Sequence, residues 1–190
     1  YNNIESVKEL IANNKNEIAA IFIEPVAGNM GVVVPEMDFM KELRKVTEEA
    51  NILLVIDEVM TGFRKKFGGA QDYFGIAADI TCMGKVIGGG MPVGAYGGKA
   101  AIMDLVSPLG NVYQAGTLSG SPIAMACGLA TLKELKNYVT YGCFRSARRC
   151  VLCFSCWRER FSLSACHFDF AGETENTFVS CITRYPTINN

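Results

Sequence analysis

Two short, unbroken apolar runs on either side of one amphipathic helix constrain this chain more than any other feature. Ile18-Ala-Ala-Ile-Phe-Ile23 and Ile52-Leu-Leu-Val-Ile56 carry no polar residue, the pattern of strands buried on both faces. Glu24-Pro25 stops the first, because proline cannot continue a central ladder. Between them, Phe39, Met40, Leu43, Val46 and Ala50 recur at helical spacing, with Lys41, Glu42, Arg44, Lys45, Glu48 and Glu49 in the gaps. That predicts a helix beginning near Met37. Strand, helix and strand make a βαβ unit with a parallel pair, so the class is α/β.

The rest of the chain fits around this unit. Ser6-Val-Lys-Glu9 has the spacing of a capping box and predicts a short helix through about Ala12, ended by Asn13 and Asn14. Asp79 to Met83 reads as another strand, Val93 to Tyr96 as one more, and Ala101 to Val106 as a weak helix. Glu58 to Arg64, with Gly68 and Gly69, reads as a loop-rich stretch. Gly116 to Pro122 is a loop opening onto a helix from Pro122 to about Leu135. Its Ala124, Ala126, Gly128 and Ala130 predict close packing against another element.

With 190 residues, 49% of them hydrophobic, the chain can bury one core. A net charge of −1 argues against nucleic acid or an anionic membrane as the main partner. No apolar run approaches the roughly 18 residues a spanning helix needs, and no charged-then-apolar leader is present. The chain starts at Tyr1 rather than Met, so its natural start is expected to be missing. Composition breaks near residue 137. Ten Lys, two Arg and two Cys lie before it; no Lys, six Arg and six Cys lie from there on. Residues 1–136 are therefore expected to be one partial domain. Residues 137–190 are expected to be a foreign tail, frame-shifted, read through from a non-coding stretch, or disordered.

The chemistry centres on two strand ends. Asp57 closes the run Ile52 to Ile56, and Lys85 follows Asp79-Ile-Thr-Cys-Met-Gly84 and precedes Gly88-Gly-Gly90. Ligands of α/β sheets bind outside the carboxyl ends of the strands, so the two side chains can face one site. Pyridoxal phosphate (PLP) needs that pair: a lysine to bond it covalently and an acid beside the pyridinium nitrogen. Spacing alone leaves a second reading open, with Lys85 a solvated lysine ahead of a glycine turn and Asp57 a cap or turn residue.

Four longer motifs sharpen this. Glu24-Pro-Val-Ala-Gly-Asn-Met-Gly31, Asp57-Glu-Val-Met-Thr-Gly-Phe-Arg64, Gly84-Lys-Val-Ile-Gly-Gly-Gly-Met-Pro-Val-Gly-Ala95 and Tyr113-Gln-Ala-Gly-Thr-Leu-Ser-Gly120 stand in this order. Together they resemble the class III aminotransferase family of fold-type I PLP enzymes. Met60 and the Ala-Gly-Thr-Leu-Ser segment resemble its aminomutase branch. The resemblance covers residues 1 to about 136 and implies the large PLP-binding domain, a mostly parallel sheet flanked by helices, here incomplete. It implies PLP as cofactor, Lys85 as the covalent catalyst and base, and Asp57 as the acid at the ring nitrogen. It places Val59 on a ring face, Asn29 near the phenolic oxygen, and Gly116 and Thr117 at the phosphate of a neighbouring subunit. The implied enzyme is a homodimer with shared active sites acting on a small molecule. It moves an amino group within glutamate-1-semialdehyde to give 5-aminolevulinate for tetrapyrrole synthesis, in the cytoplasm or the plastid stroma. Another class III aminotransferase acting between two substrates, and an inactive truncated product, are the alternatives.

Other residues carry less. Asn29 and Thr117 read equally as loop residues bonding their own backbone. Glu24 and Glu58 orient neighbours or solvate loop ends and are not assigned as catalysts. Arg64 reads as a surface or an interface charge. Ser121 stands where the family usually has asparagine. In the tail, Cys150, Cys153, Cys156, Cys166 and His167 suggest a metal, but Arg160 occupies the position of the fourth iron–sulfur ligand, and adjacent ligands at 166 and 167 suit zinc poorly. No metal is expected. The family's preceding phosphate loop and ring-stacking aromatic, and its C-terminal small domain, are expected to lie outside this chain.

Overall fold

The computed structural model describes residues 1–137. Four strands form one sheet in sequence order: β1 (Ala20–Ile23), β2 (Leu53–Asp57), β3 (Ile80–Gly84) and β4 (Gly94–Gly98). The first three run parallel and β4 pairs antiparallel with β3. Helix α1 (Ile4–Asn13) precedes the sheet, α2 (Met37–Glu49) joins β1 to β2, and α3 (Gly69–Phe74) joins β2 to β3. A 3₁₀ turn (Lys85–Gly88) follows β3, α4 (Ala100–Met103) follows β4, and α5 (Pro122–Asn137) comes last.

Register explains the core. Ile21 pairs with Leu54, Ile23 with Ile56, and Ile56 with Thr81, so these side chains share one face. Phe39, Met40 and Leu43 of α2 pack there, joined by Ala70 and Phe74 from α3. The other face begins with Phe22, opposite Val55. Val55 is buried, but Phe22 is 74% exposed. The expectation that β1 is buried on both faces is thus corrected. In the described four-stranded sheet it lies at the edge, and no described element covers Phe22.

Two local readings are also revised. Helix α1 begins at Ile4, capped by Asn3, whose side chain accepts the Ser6 N–H at 3.0 Å. The Ser6 capping box does not form at that end. Ile4 and Val7 both pack against the core, which holds an extra turn ahead of Ser6. Helix α3 falls in a stretch that reads as loop. Its Ala70 and Phe74 are buried four residues apart against the core, a contact too short in sequence to read as a helical period.

Asp79 ties the layers together. Its buried carboxylate accepts the Leu54 N–H at 2.7 Å and pairs with Arg44 at 2.9 Å and Lys99 at 2.5 Å. Burial pushes the acid's pKa up, but the Leu54 N–H, Lys99 and Arg44 together bring it below the ordinary aspartate value.

Helix α5 packs more narrowly than its small residues suggest. Ala124 and Gly128 are buried, one turn apart, while Ala126 and Ala130 are exposed. The buried pair faces the 3₁₀ turn: a Cβ on Gly128 would stand 2.1 Å from the Ile87 carbonyl oxygen, and one on Gly89 2.5 Å from that of Cys127. Backbone meets backbone there, which only glycine allows. No described helix is long and apolar enough to cross a membrane. The tail from residue 138, with its cysteines and His167, lies outside the described residues.

Candidate functional site

Asp57 ends β2 and faces Cys82 of β3 across the ladder. The Glu58 N–H, donating to the Cys82 carbonyl at 2.8 Å, fixes the strands together just beyond that pair. One carboxylate oxygen of Asp57 accepts the Val59 N–H at 2.8 Å. The side chain is therefore turned by the backbone two residues ahead, in an Asx-type turn.

Lys85 follows immediately where β3 ends at Gly84. Its side chain is exposed, and its φ of +46° lies in the left-handed region that L-residues rarely adopt. Such strain clusters at functional sites. Gly84 is buried, and a Cβ there would lie 3.4 Å from both Val59 methyls. Val59 thus packs over the strand end that launches Lys85. Asp57, Val59 and the Lys85 turn occupy neighbouring carboxyl ends, where ligands of such sheets gather.

The loop after β1 joins them. Glu24 accepts the Gly28 N–H at 3.1 Å, and Ala27 and Val33 exchange backbone hydrogen bonds at 3.0 and 3.1 Å. Asn29 is exposed near its tip. A Cβ on Gly28 would sit 3.3 Å from Met60, so this loop touches the one following Asp57. Val32 (φ +61°) and Phe63 (φ +60°) place further left-handed backbone in the two loops. Gly116 and Thr117 lie on the loop before α5. Thr117 is exposed, and the Gly116 carbonyl accepts the Ser119 N–H at 3.0 Å within that loop.

Glu58 has the most partners here. It is 3% exposed, and its carboxylate accepts the Ala70 N–H at 3.0 Å, the Gln71 N–H at 2.8 Å and the Thr61 hydroxyl. It therefore orients neighbours rather than solvating a loop end. Glu24 orients the loop after β1 in the same way. Arg64 is half-buried. Of the two readings open for Glu58, orienting neighbours is the one found; the neighbours themselves are not legible in the sequence, because they lie 12 and 13 residues ahead, in a helix the sequence does not announce. The contacts of Gly84 with Val59 and of Met60 with Gly28 are tertiary, and no local sequence signal points to them.

Charge in the site is asymmetric. Burial, and then the Asp57 carboxylate, push the Cys82 thiol above its usual pKa. Near the loop after β1, the Tyr1 hydroxyl donates to the Glu24 and Pro25 carbonyls at 2.9 Å, and burial, with Glu24 adding to it, raises its pKa to about 12. Among the described residues no group of three or more His, Cys, Asp or Glu could hold a metal ion. The donor set fits PLP instead: an exposed primary amine, a half-buried carboxylate on the adjoining strand, and an apolar side chain packed between the two strand ends.

The family model for aminotransferase class-III matches residues 2–145, running past the composition break expected at 137. Among curated relatives, glutamate-1-semialdehyde 2,1-aminomutase of Acetivibrio thermocellus is 58% identical over 149 residues, covering 78% of this chain and 34% of that protein. The chain spans about a third of the length of the curated relatives it matches. Among solved structures, an omega-transaminase from Sphaerobacter thermophilus superposes with a TM-score of 0.67 at 37% identity, covering 71% of this chain and 31% of that one. A transaminase with PLP bound gives a TM-score of 0.67 at 30% identity, covering 71% and 32%. The α/β reading, with its mostly parallel sheet flanked by helices, agrees with these neighbours.

Proposed function

The chain belongs to the class-III aminotransferase family, and from that premise we propose that it is the cofactor-binding part of a glutamate-1-semialdehyde 2,1-aminomutase. The whole enzyme turns glutamate-1-semialdehyde into 5-aminolevulinate with PLP as cofactor, as a cytoplasmic homodimer. The plastid stroma is the alternative compartment. One observation carries the reading: Asp57 and Lys85 at the carboxyl ends of adjacent parallel strands, with Val59 packed on Gly84 between them.

When bound, PLP supplies an electron sink at the carbon that gains or loses an amino group. The residues of this chain do the rest. Lys85 would hold the cofactor covalently and, once its amine is released, would serve as the base that moves the substrate proton. Asp57 keeps a proton on the ring nitrogen, since an adjacent negative charge favours the protonated form. Val59 covers a ring face and excludes water. Asn29 donates toward the phenolic oxygen. Gly116 and Thr117 offer an N–H and a hydroxyl to the phosphate bound by the partner subunit.

Trapping tests the reading. The chain is mixed with PLP and reduced with borohydride, and the labelled lysine is found by peptide mass. A label on Lys85, absent from Lys85→Ala, supports it; label spread over Lys15, Lys41 and Lys65 overturns it for this chain and favours an inactive piece. The kinship with an omega-transaminase supports a second reading, transfer between two substrates. Turnover of glutamate-1-semialdehyde without a separate amino donor excludes it.

A further inference from the structure

We infer that Glu58 is a positioning residue that fixes the Asp57 carboxylate beside Cys82 by anchoring the Val59 amide. The chain of contacts is short. The Glu58 side chain is tied to the first turn of α3 through the Ala70 and Gln71 N–H groups and to Thr61. Its own N–H is tied to Cys82, and its carbonyl accepts the Gly62 N–H at 2.7 Å. Residue 58 is thus pinned at its side chain and at both backbone groups. Val59, the next residue, cannot shift without breaking one of these bonds, and its N–H sets the rotation of Asp57.

The far end of the anchor is equally specific. A Cβ on Gly69 would stand 2.7 Å from Glu58 Oε1, and Gly69 has φ +74°. A glycine at the start of α3 lets the carboxylate reach the helix N–H groups, which favour negative charge. The one carboxylate accepts from all three donors, the Thr61 hydroxyl and the Ala70 and Gln71 N–H groups. Glutamine would bring an N–H against at least one of them, leaving a buried donor unsatisfied.

The inference rests on the proposed function only in making Asp57 the acid that faces the cofactor ring; where the carboxylate sits is testable without cofactor. Cys82 is a built-in reporter, flanked by Asp57 on β2 and Tyr96 on β4, with Lys85 beyond its strand end. Its thiol feels the Asp57 charge. The 190-residue chain is alkylated over a pH series, with the Cys82 peptide quantified by mass, in wild type, Asp57→Asn, Glu58→Gln and the double variant.

Asp57→Asn should raise the Cys82 rate about threefold at mildly alkaline pH, as a nearby charge is lost. Glu58→Gln should move it the same way, and the double variant should match Asp57→Asn alone. Thr61→Val, which removes one donor and keeps the carboxylate, should give a smaller change, also absent in the Asp57→Asn background. It serves where Glu58→Gln does not fold. A wild-type rate in both the Glu58→Gln and Thr61→Val variants, or a Glu58 effect that persists without Asp57, overturns the inference. Lys85 trapping separates the two ideas. Coupling without a Lys85 label rejects the cofactor reading and keeps the positioning role; a label without coupling does the reverse.

Discussion

Gly128→Ala sets two effects of opposite sign against each other. Gly128 is buried within α5, and alanine should favour the helix there by about 1 kcal/mol. The new Cβ would stand 2.1 Å from the Ile87 carbonyl oxygen, and the next nearest atom, the Ile87 carbonyl carbon, is 3.2 Å away. Relief needs the helix or the 3₁₀ turn to withdraw by about 1 Å, and the obstacle is backbone, with no rotamer to turn aside. Overpacking of this kind costs about 1–3 kcal/mol, and a rigid obstacle belongs at the upper end. The net is a loss of about 1–2 kcal/mol, despite better helix propensity. The exposed Ala130→Gly measures propensity alone in the same helix and should cost about 1 kcal/mol. Urea unfolding followed by circular dichroism gives both, read as midpoint shifts at constant slope. A Gly128→Ala chain more stable than wild type by about 1 kcal/mol would refute the close contact between α5 and the Lys85 turn. If that contact is real, the variant also lowers PLP labelling at Lys85, because the turn that carries the amine moves.

Three further outcomes follow from other parts of the structure. Asn3→Ala should lose about 1 kcal/mol as the cap on α1 is removed, while Ser6→Ala should stay within about 0.5 kcal/mol; the reverse order, in thermal melts, would restore the capping box at Ser6. Asp79→Ala breaks a buried cluster and should cost about 3–5 kcal/mol. Because the folded carboxyl lies below its ordinary value of 3.8, its contribution is complete above that pH and is lost as pH falls through the folded value. Wild type should therefore show a loss of ellipticity in acid titration that Asp79→Asn lacks. Lys85→Gly and Lys85→Ala both abolish the PLP label, but glycine relieves the left-handed backbone at this position. The glycine chain should be more stable by about 1 kcal/mol, and equal urea midpoints would contradict the strain.

The amino-acid pattern carries the βαβ unit, because apolar runs and helical spacing are local patterns that any burying fold must satisfy. It also placed Asp57 and Lys85 at strand ends, since a carboxylate after Ile56 and a lysine before three glycines mark where strands stop. Tertiary structure alone decided which partners those residues met. Nothing near Glu58 in sequence announces that its carboxylate ends at the amides of Ala70 and Gln71, nor does anything near Asp79 point to Arg44 and Lys99. Asn3 capped α1 in place of Ser6 because Ile4 and Val7 found the core. Phe22 reads as a buried strand residue and is exposed because no described element packs on its face of β1. Periodicity reports how much of a residue is buried on average. Contact, charge pairing and backbone strain depend on which segments return beside one another in space, and that is fixed only when the sheet and its helices close.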